Sequence, residues 1–128
     1  MRIMLAGGKG YIGSVLASFL VERGYEVQVC DLCWFHTEPP PGTTLRKVDL
    51  FNLTEEDCRG FDQIIFLAGL SNDPMAELSP SKNFIYNAAL PAYMAYIAKR
   101  AGVKRFIYAS SCSVYGYSAN NTCDEDGP

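Results

Sequence analysis

The fold is decided by the stretch Arg2-Ile3-Met4-Leu5-Ala6-Gly7-Gly8-Lys9-Gly10-Tyr11-Ile12-Gly13. A short apolar run leads directly into clustered glycines, which is the pattern of a buried strand that ends in a tight turn. Apolar residues then recur at helical spacing from Ile12 to Leu20, and Gly24 stands where a helix commonly ends. The stretch therefore predicts a strand, a glycine-rich turn and a helix.

The rest of the chain continues this alternation. Apolar runs predict further strands at 26–30, 44–48, 64–68 and 105–109. Ser79-Pro80 is a favourable helix start, and the helix that we predict over 80–100 ends before Gly102. Strands that alternate with helices favour the α/β class. We expect one domain over 1–128 with a parallel sheet in the order 3-2-1-4-5 and helices on both faces.

Composition excludes several classes of protein. The 128 residues carry a net charge of −3 without a basic stripe, so neither a nucleic-acid nor a membrane partner is expected. Apolar runs are too short for a membrane span. Five cysteines without the spacing of a disulfide framework favour a reduced, cytoplasmic protein. The Cys30–Cys33 pair lacks a second pair, so we interpret it as strand packing and expect no metal site.

The glycine turn predicts a dinucleotide site. Its glycines can be interpreted as Gly7-x-x-Gly10-x-x-Gly13 or as Gly8-x-Gly10-x-x-Gly13. Glycine lets backbone N–H groups approach a pyrophosphate, and the following helix N-terminus stabilises its charge. Asp31 follows the second strand, where an acid can bind the adenosine ribose hydroxyls. No cation for a 2′-phosphate follows it in 32–34, which favours NAD over NADP.

Two further clusters of polar residues allow more than one interpretation. The acids at 55–57 follow Thr54, and we interpret them as the start of a short helix rather than as a catalytic pair. Ser110 and Ser111 follow the last predicted strand, at the sheet edge where ligands of parallel sheets bind. Their hydroxyls can bind a substrate, or they can simply form a turn.

Together these motifs resemble the extended short-chain dehydrogenase/reductase superfamily, in its NAD-dependent sugar epimerase/dehydratase branch, which has a Rossmann-like fold. The stretch 6–13 is similar to the branch's TGxxGxxG loop, and 110–116 to its SSxxVYG segment, which gives Ser111 the place of the catalytic serine. Asn87 resembles a helix asparagine near the nicotinamide. The cofactor-binding residues that the resemblance implies are Gly7, Gly10, Tyr11, Ile12, Gly13, Asp31, Asp49, Leu50, Leu67, Ala68, Gly69, Asn87 and Ser110.

In this branch a nucleotide sugar gives a hydride to NAD, the serine orients the sugar hydroxyl, and the tyrosine of a YxxxK pair removes its proton. No such pair follows Tyr115 in the 128 residues. The resemblance thus implies the N-terminal portion of a longer enzyme, inactive alone. A non-catalytic NAD-binding or interaction module, or another Rossmann enzyme such as a methyltransferase or flavoprotein, remains as an alternative.

Two expectations concern the helix predicted over 80–100. The resembled branch usually dimerises by pairing two helices per subunit. One of them matches this helix, and the other, which would carry YxxxK, is absent, so we expect non-native self-association through exposed apolar surface. Pro91 cannot donate to the carbonyl of Asn87, four residues earlier. We therefore expect the helix to bend near Asn87 and to leave this carbonyl free for water or a ligand.

Overall fold

The computed structural model describes residues 1–34, 38–39, 41–70 and 77–116. All pairings of its five strands are parallel, in the order β3-β2-β1-β4-β5, which confirms the predicted sheet. The strands are β1 (Arg2–Ala6), β2 (Glu26–Asp31), β3 (Thr43–Lys47), β4 (Gln63–Phe66) and β5 (Arg105–Tyr108). Ala6, at the end of the central strand, pairs with Cys30 on one side and Phe66 on the other.

In the described ranges, three helices connect the strands. They are α1 (Tyr11–Glu22), α2 (Glu55–Cys58) and α3, which runs as Pro80–Phe84, a π-helical segment Ile85–Ala89, and Leu90–Arg100. Short 3₁₀ turns occupy Leu50–Asn52 and Cys112–Tyr115. Within the described ranges, no helix is long and apolar enough to cross a membrane.

The core lies on both faces of the sheet because successive side chains of a strand point in opposite directions. Ile3 and Leu5 of β1 pack on one face with Ala17 and Leu20 of α1 and with β2 and β4 side chains. Met4 and Ala6 pack on the other face, where the apolar side of α3 contributes buried residues. A strand buried on both faces is typical of the centre of a parallel sheet. These two cores confirm the predicted helices on both faces.

The turn from β1 into α1 depends on close backbone approach. Gly7 has φ +82°, and a Cβ there would lie 2.5 Å from the backbone nitrogen of Ala68. One turn into the helix, a Cβ on Gly13 would lie 2.6 Å from Gly8 Cα. Both distances are too short for a side chain, so the glycine turn sits tightly against the end of β4 and the start of α1.

The middle of α3 departs from the α-helical pattern around Asn87. Residues 85–89 form a π-helical segment, and the backbone stays helical on both sides of it. The hydroxyl of Tyr108 in β5 donates to the Asn87 carbonyl over 2.9 Å. The expectation that Pro91 leaves this carbonyl free for water or a ligand is therefore wrong, because β5 supplies a donor from within the fold. Such π segments commonly accommodate an interrupted helical ladder.

Helix α2 begins as its sequence predicts. The Asp57 carboxylate accepts hydrogen bonds from the backbone N–H of Thr54 (2.8 Å) and from its hydroxyl (2.9 Å). The guanidinium of Arg46 in β3 pairs with the same carboxylate at 2.6 Å. The bond from Arg46 and the backbone bond from Thr54 hold the pKa of Asp57 below its ordinary 3.8. These acids start a helix, which confirms that interpretation over a catalytic pair.

The lowered pKa of Asp57 makes stability depend on pH in acid. A carboxyl whose pKa is lower in the folded state stabilises the fold above its unfolded value, and this stabilisation is lost as pH falls through the folded pKa. We expect Asp57→Asn to lower the free energy of unfolding by about 1 kcal/mol at pH 6 and by much less near pH 2. Urea unfolding across this range measures it. Glu56→Gln, which removes an acid from an exposed pair with Arg59, is the control. A loss of stability in Asp57→Asn that is the same at pH 6 and pH 2 would contradict this prediction.

The close approach at Gly7 can be separated from its backbone conformation. Gly24 has nearly the same angle, φ +79°, but a Cβ there meets nothing within 4 Å. Gly24→Ala should therefore lower stability by about 1–2 kcal/mol, which is the cost of the left-handed conformation alone. Gly7→Ala should lose about a further 1–3 kcal/mol because its Cβ meets Ala68. Thermal unfolding measures both, and equal losses would show that close packing at Gly7 contributes nothing.

Candidate functional site

A pocket opens at the carboxyl ends of β1, β2 and β4. At this edge the chain leaves β1 and β4 towards opposite sides of the sheet, which is where ligands of open parallel sheets bind. The backbone ladder continues past the strand ends: the Gly7 N–H donates to Cys30 O and the Leu67 N–H to Ala6 O, both over 2.8 Å. The pocket is lined by Gly7, Gly10, Asp31, Leu32, Trp34, Asp49, Leu50, Leu67, Ala68, Gly69, Leu70, Tyr86 and Leu90.

The four glycines of the turn have two different positions. Gly7 and Gly10 form part of the pocket wall. Gly8 and Gly13 pack behind it: Gly13 lies against Gly8, and a Cβ on Gly8 would lie 2.9 Å from Val29 Cγ1. The pattern Gly7-x-x-Gly10-x-x-Gly13 thus describes the pocket better than the pattern that begins at Gly8.

The start of α1 can bind an anion through its backbone. Gly10 is the N-cap, and no side chain in the described part of the chain caps this helix or places an acid in its first turn. The first N–H groups of a helix lack internal acceptors, and the helix dipole favours negative charge there. The side chains of Tyr11 and Ile12 are 94% and 62% exposed and do not line the pocket. The start of the helix therefore offers the N–H groups of these two residues to an anion.

The carboxylate of Asp31 joins two parts of the pocket wall. Its Oδ2 accepts from the Lys9 N–H in the glycine turn (3.0 Å), and its Oδ1 accepts from the Cys33 N–H (2.7 Å). An ionised carboxylate offers about four acceptor positions. Residues that the structure describes use two of these positions, which leaves two for hydroxyl donors of a ligand.

Asp49 and Leu50 form the wall beyond β3. The Asp49 carboxylate accepts from the Phe51 N–H (3.0 Å) and so begins the 3₁₀ turn. Leu50 is buried and presents an apolar surface to the pocket. This pairing of an acid with an aliphatic residue suits a ring that has both polar edges and apolar faces.

Leu67, Ala68 and Gly69 line the pocket after β4, whereas Asn87 lies behind them. The side-chain amide of Asn87 holds the Leu70 backbone twice: its Oδ1 accepts from the Leu70 N–H and its Nδ2 donates to the Leu70 carbonyl, each over 2.9 Å. A Cβ on Gly69 would lie 2.5 Å from Asn87 Oδ1, which explains glycine at this position. Asn87 does not line the pocket, so its predicted cofactor contact stays a prediction.

Ser110 and Ser111 lie beyond β5, outside the pocket. The Ser111 hydroxyl donates to Ser113 Oγ (3.0 Å) and accepts from the Ser113 N–H (3.2 Å), and it thereby starts the 3₁₀ turn Cys112–Tyr115. This arrangement fits the turn-forming interpretation of the serines. Their catalytic and cofactor roles stay predictions.

Some pocket residues were missed by motif reasoning. Leu32 and Trp34 follow Asp31 directly, and their proximity in sequence is the signal that could have found them. Tyr86 and Leu90 are four residues apart and so share a face of α3. Whether these two side chains reach the pocket depends on how α3 packs across the sheet, and no local sequence pattern predicts this packing.

Two of the cysteines, Cys30 and Cys58, are buried in the core. Burial raises the pKa of the Cys30 thiol, and burial with the nearby Asp57 raises the pKa of Cys58 to about 11. Such thiols stay protonated at neutral pH and are poor metal ligands. In the described ranges, no three His, Cys, Asp or Glu side chains are grouped to hold a metal ion.

The amino-acid sequence is similar to those of curated UDP-glucose 4-epimerases. UDP-glucose 4-epimerase of Streptomyces lividans is 28% identical over 122 residues, which are 90% of this chain and 37% of that protein. The UDP-glucose 4-epimerase of Neisseria gonorrhoeae is 30% identical over 139 residues, 98% of this chain and 41% of that protein. The chain thus spans about two fifths of the length of these curated relatives.

The fold is also similar to that of solved structures. MoeE5, solved in complex with UDP-glucose and NAD, is 25% identical with a TM-score of 0.86, over 100% of this chain and 42% of that one. The model of the NAD dependent epimerase/dehydratase family matches residues 3–128, which include both the glycine turn and Asp31. The chain therefore belongs to the NAD dependent epimerase/dehydratase family.

Proposed function

We propose that this chain is the NAD-binding part of an enzyme that epimerises or dehydrates a nucleotide sugar. The observation that carries the proposal is the Asp31 carboxylate, bonded to the glycine turn at Lys9 and still able to accept two further hydrogen bonds. Family membership supports the cofactor, and relatives named as acting on or binding UDP-sugars support the substrate class.

The residues of the pocket fit the parts of NAD. Gly7 lets the turn pack closely against Ala68, and backbone N–H groups of the turn and of α1 can approach the pyrophosphate. Asp31 would accept hydrogen bonds from the adenosine ribose hydroxyls, and Asp49 and Leu50 would contact the adenine. Leu67, Ala68 and Gly69 would lie along the cofactor. When bound, NAD supplies the hydride acceptor for a sugar carbon.

We propose that Ser111 orients the reacting sugar hydroxyl in the full-length protein. This role requires the serine to exchange its bonds to Ser113 for bonds to the substrate. The 128 residues hold no YxxxK pair after Tyr115 that could remove the hydroxyl proton. A chain that binds NAD without turning over a sugar is the second candidate, and the engagement of Ser111 with Ser113 favours it.

The cofactor preference tests the proposal directly. We expect NAD to bind at least about tenfold more tightly than NADP, because a 2′-phosphate would meet the Asp31 carboxylate. Asp31→Ala should weaken NAD binding about 10- to 100-fold through the loss of charge-assisted hydrogen bonds. Isothermal titration measures both. Glu26→Gln removes the same charge from the opposite end of β2 and should leave NAD affinity unchanged. Equal affinity of the unmodified chain for NAD and NADP would refute the proposal.

The 128-residue chain should bind NAD but should not turn over UDP-glucose or UDP-galactose. A general base typically accelerates a reaction about 10²- to 10⁴-fold, and the family's tyrosine and lysine are not among these residues. Sugar interconversion followed by chromatography measures turnover. Measurable turnover that disappears in Ser111→Ala would show instead that another residue, with Tyr115 the first candidate, acts as the base.

A further inference from the structure

The turn after Asp31 holds an unusual backbone conformation. Cys33 has φ +58°, and among the described residues it is the only non-glycine with positive φ. This left-handed conformation is unfavourable for a residue with a side chain. Residues held in such conformations cluster at functional sites, where the surrounding structure enforces them.

Two contacts with Asp31 hold Cys33 in this conformation. The Cys33 N–H donates to Asp31 Oδ1 (2.7 Å), and the Cys33 thiol lies 3.6 Å from the Asp31 carbonyl oxygen, within reach of a weak hydrogen bond. The carboxylate that faces the pocket thus also shapes the turn beyond it. The direction in which the chain leaves this turn is therefore set by Asp31.

Trp34 follows Cys33 directly and lies at the pocket. Its side chain lines the pocket yet is 56% exposed. In the described part of the chain, its indole makes neither a hydrogen bond nor a ring contact. The indole is a large, flat apolar surface, and the apolar side chain of Leu50 lines the same pocket. A ligand that covers the indole is stabilised by the burial of this apolar surface.

We propose that Trp34 is the stacking platform for the adenine ring of the cofactor, and that the left-handed Cys33 sets its position; this inference rests on the proposed NAD site. The adenine is attached to the same ribose that Asp31 would hold. A group three residues beyond Asp31, on the same turn, is therefore placed to meet the adenine rather than the nicotinamide. Asp31 would bind the ribose directly and position the base platform through Cys33.

Alanine at Trp34 tests the platform. Stacking of a base on an aromatic side chain contributes about 5- to 150-fold in affinity. We expect Trp34→Ala to weaken both NAD and ADP-ribose by this factor, because both carry the adenine, whereas Trp34→Phe keeps most of the affinity. Phe84→Ala, another exposed aromatic but outside the pocket, is the control and should leave both dissociation constants unchanged.

Variants of Cys33 test the turn separately. Cys33→Asn tolerates the left-handed conformation and should bind ADP-ribose as the unmodified chain does. Cys33→Val is β-branched, should abandon this conformation, and should lose affinity about as much as Trp34→Ala. Circular dichroism confirms that each variant is folded. Equal affinity of Cys33→Asn and Cys33→Val would overturn the role of the turn.

Fluorescence distinguishes failure of this inference from failure of the proposed function. Trp34 is the only tryptophan of the chain, so adenine stacked on it should quench the emission when ADP-ribose is added. NAD that binds with unchanged affinity to Trp34→Ala, and ADP-ribose that binds without quenching, would overturn the platform while the NAD site stands. An unmodified chain that binds neither ligand would overturn both.

Discussion

The site depends on the hydrogen bonds that one carboxylate makes with two backbone N–H groups. Asp31 ends β2, accepts from Lys9 in the turn after β1, and accepts from Cys33 in its own turn. Two loops from neighbouring strands are thereby fixed to one side chain, which a neutral apolar residue could not achieve. A ribose hydroxyl that binds the remaining acceptor positions would meet a group that is already oriented, so little ordering would oppose binding.

The second constraint is space. The turn after β1 lies so close to Ala68 and to the start of α1 that side chains are excluded at Gly7 and Gly13. This close packing brings backbone N–H groups to the pocket surface, where an anion can reach them. Behind the opposite wall, Asn87 holds the Leu70 backbone, and glycine at 69 leaves room for its amide. Close packing thus shapes the pocket at Gly7 and Gly69, in addition to the hydrogen bonds of Asp31.

The strands, their order and the glycine turn were predictable because they rest on local patterns: apolar runs, glycine, and an acid at a strand end. The lining role of Gly7, Gly10 and Asp31 followed from the same patterns. The partners of side chains that meet across the fold were not predictable. The Tyr108 hydroxyl donates to the Asn87 carbonyl, to which Pro91 cannot donate, and no pattern around Pro91 indicates this contact. The sequence of 32–34 indicated only that no cation follows Asp31. It did not indicate that Trp34 lines the pocket, because the position of Trp34 depends on the left-handed conformation of Cys33.

The central proposal is that Asp31 binds the adenosine ribose through acceptor positions that the fold leaves free. The most direct measurement compares the dissociation constants of NAD and of its analogue that lacks the adenosine 2′-hydroxyl, in the unmodified chain and in Asp31→Ala. We predict that removing the hydroxyl weakens binding to the unmodified chain about tenfold and has little effect on the variant. The same loss in both proteins would contradict the proposal, because the hydroxyl would then be bound by some other group.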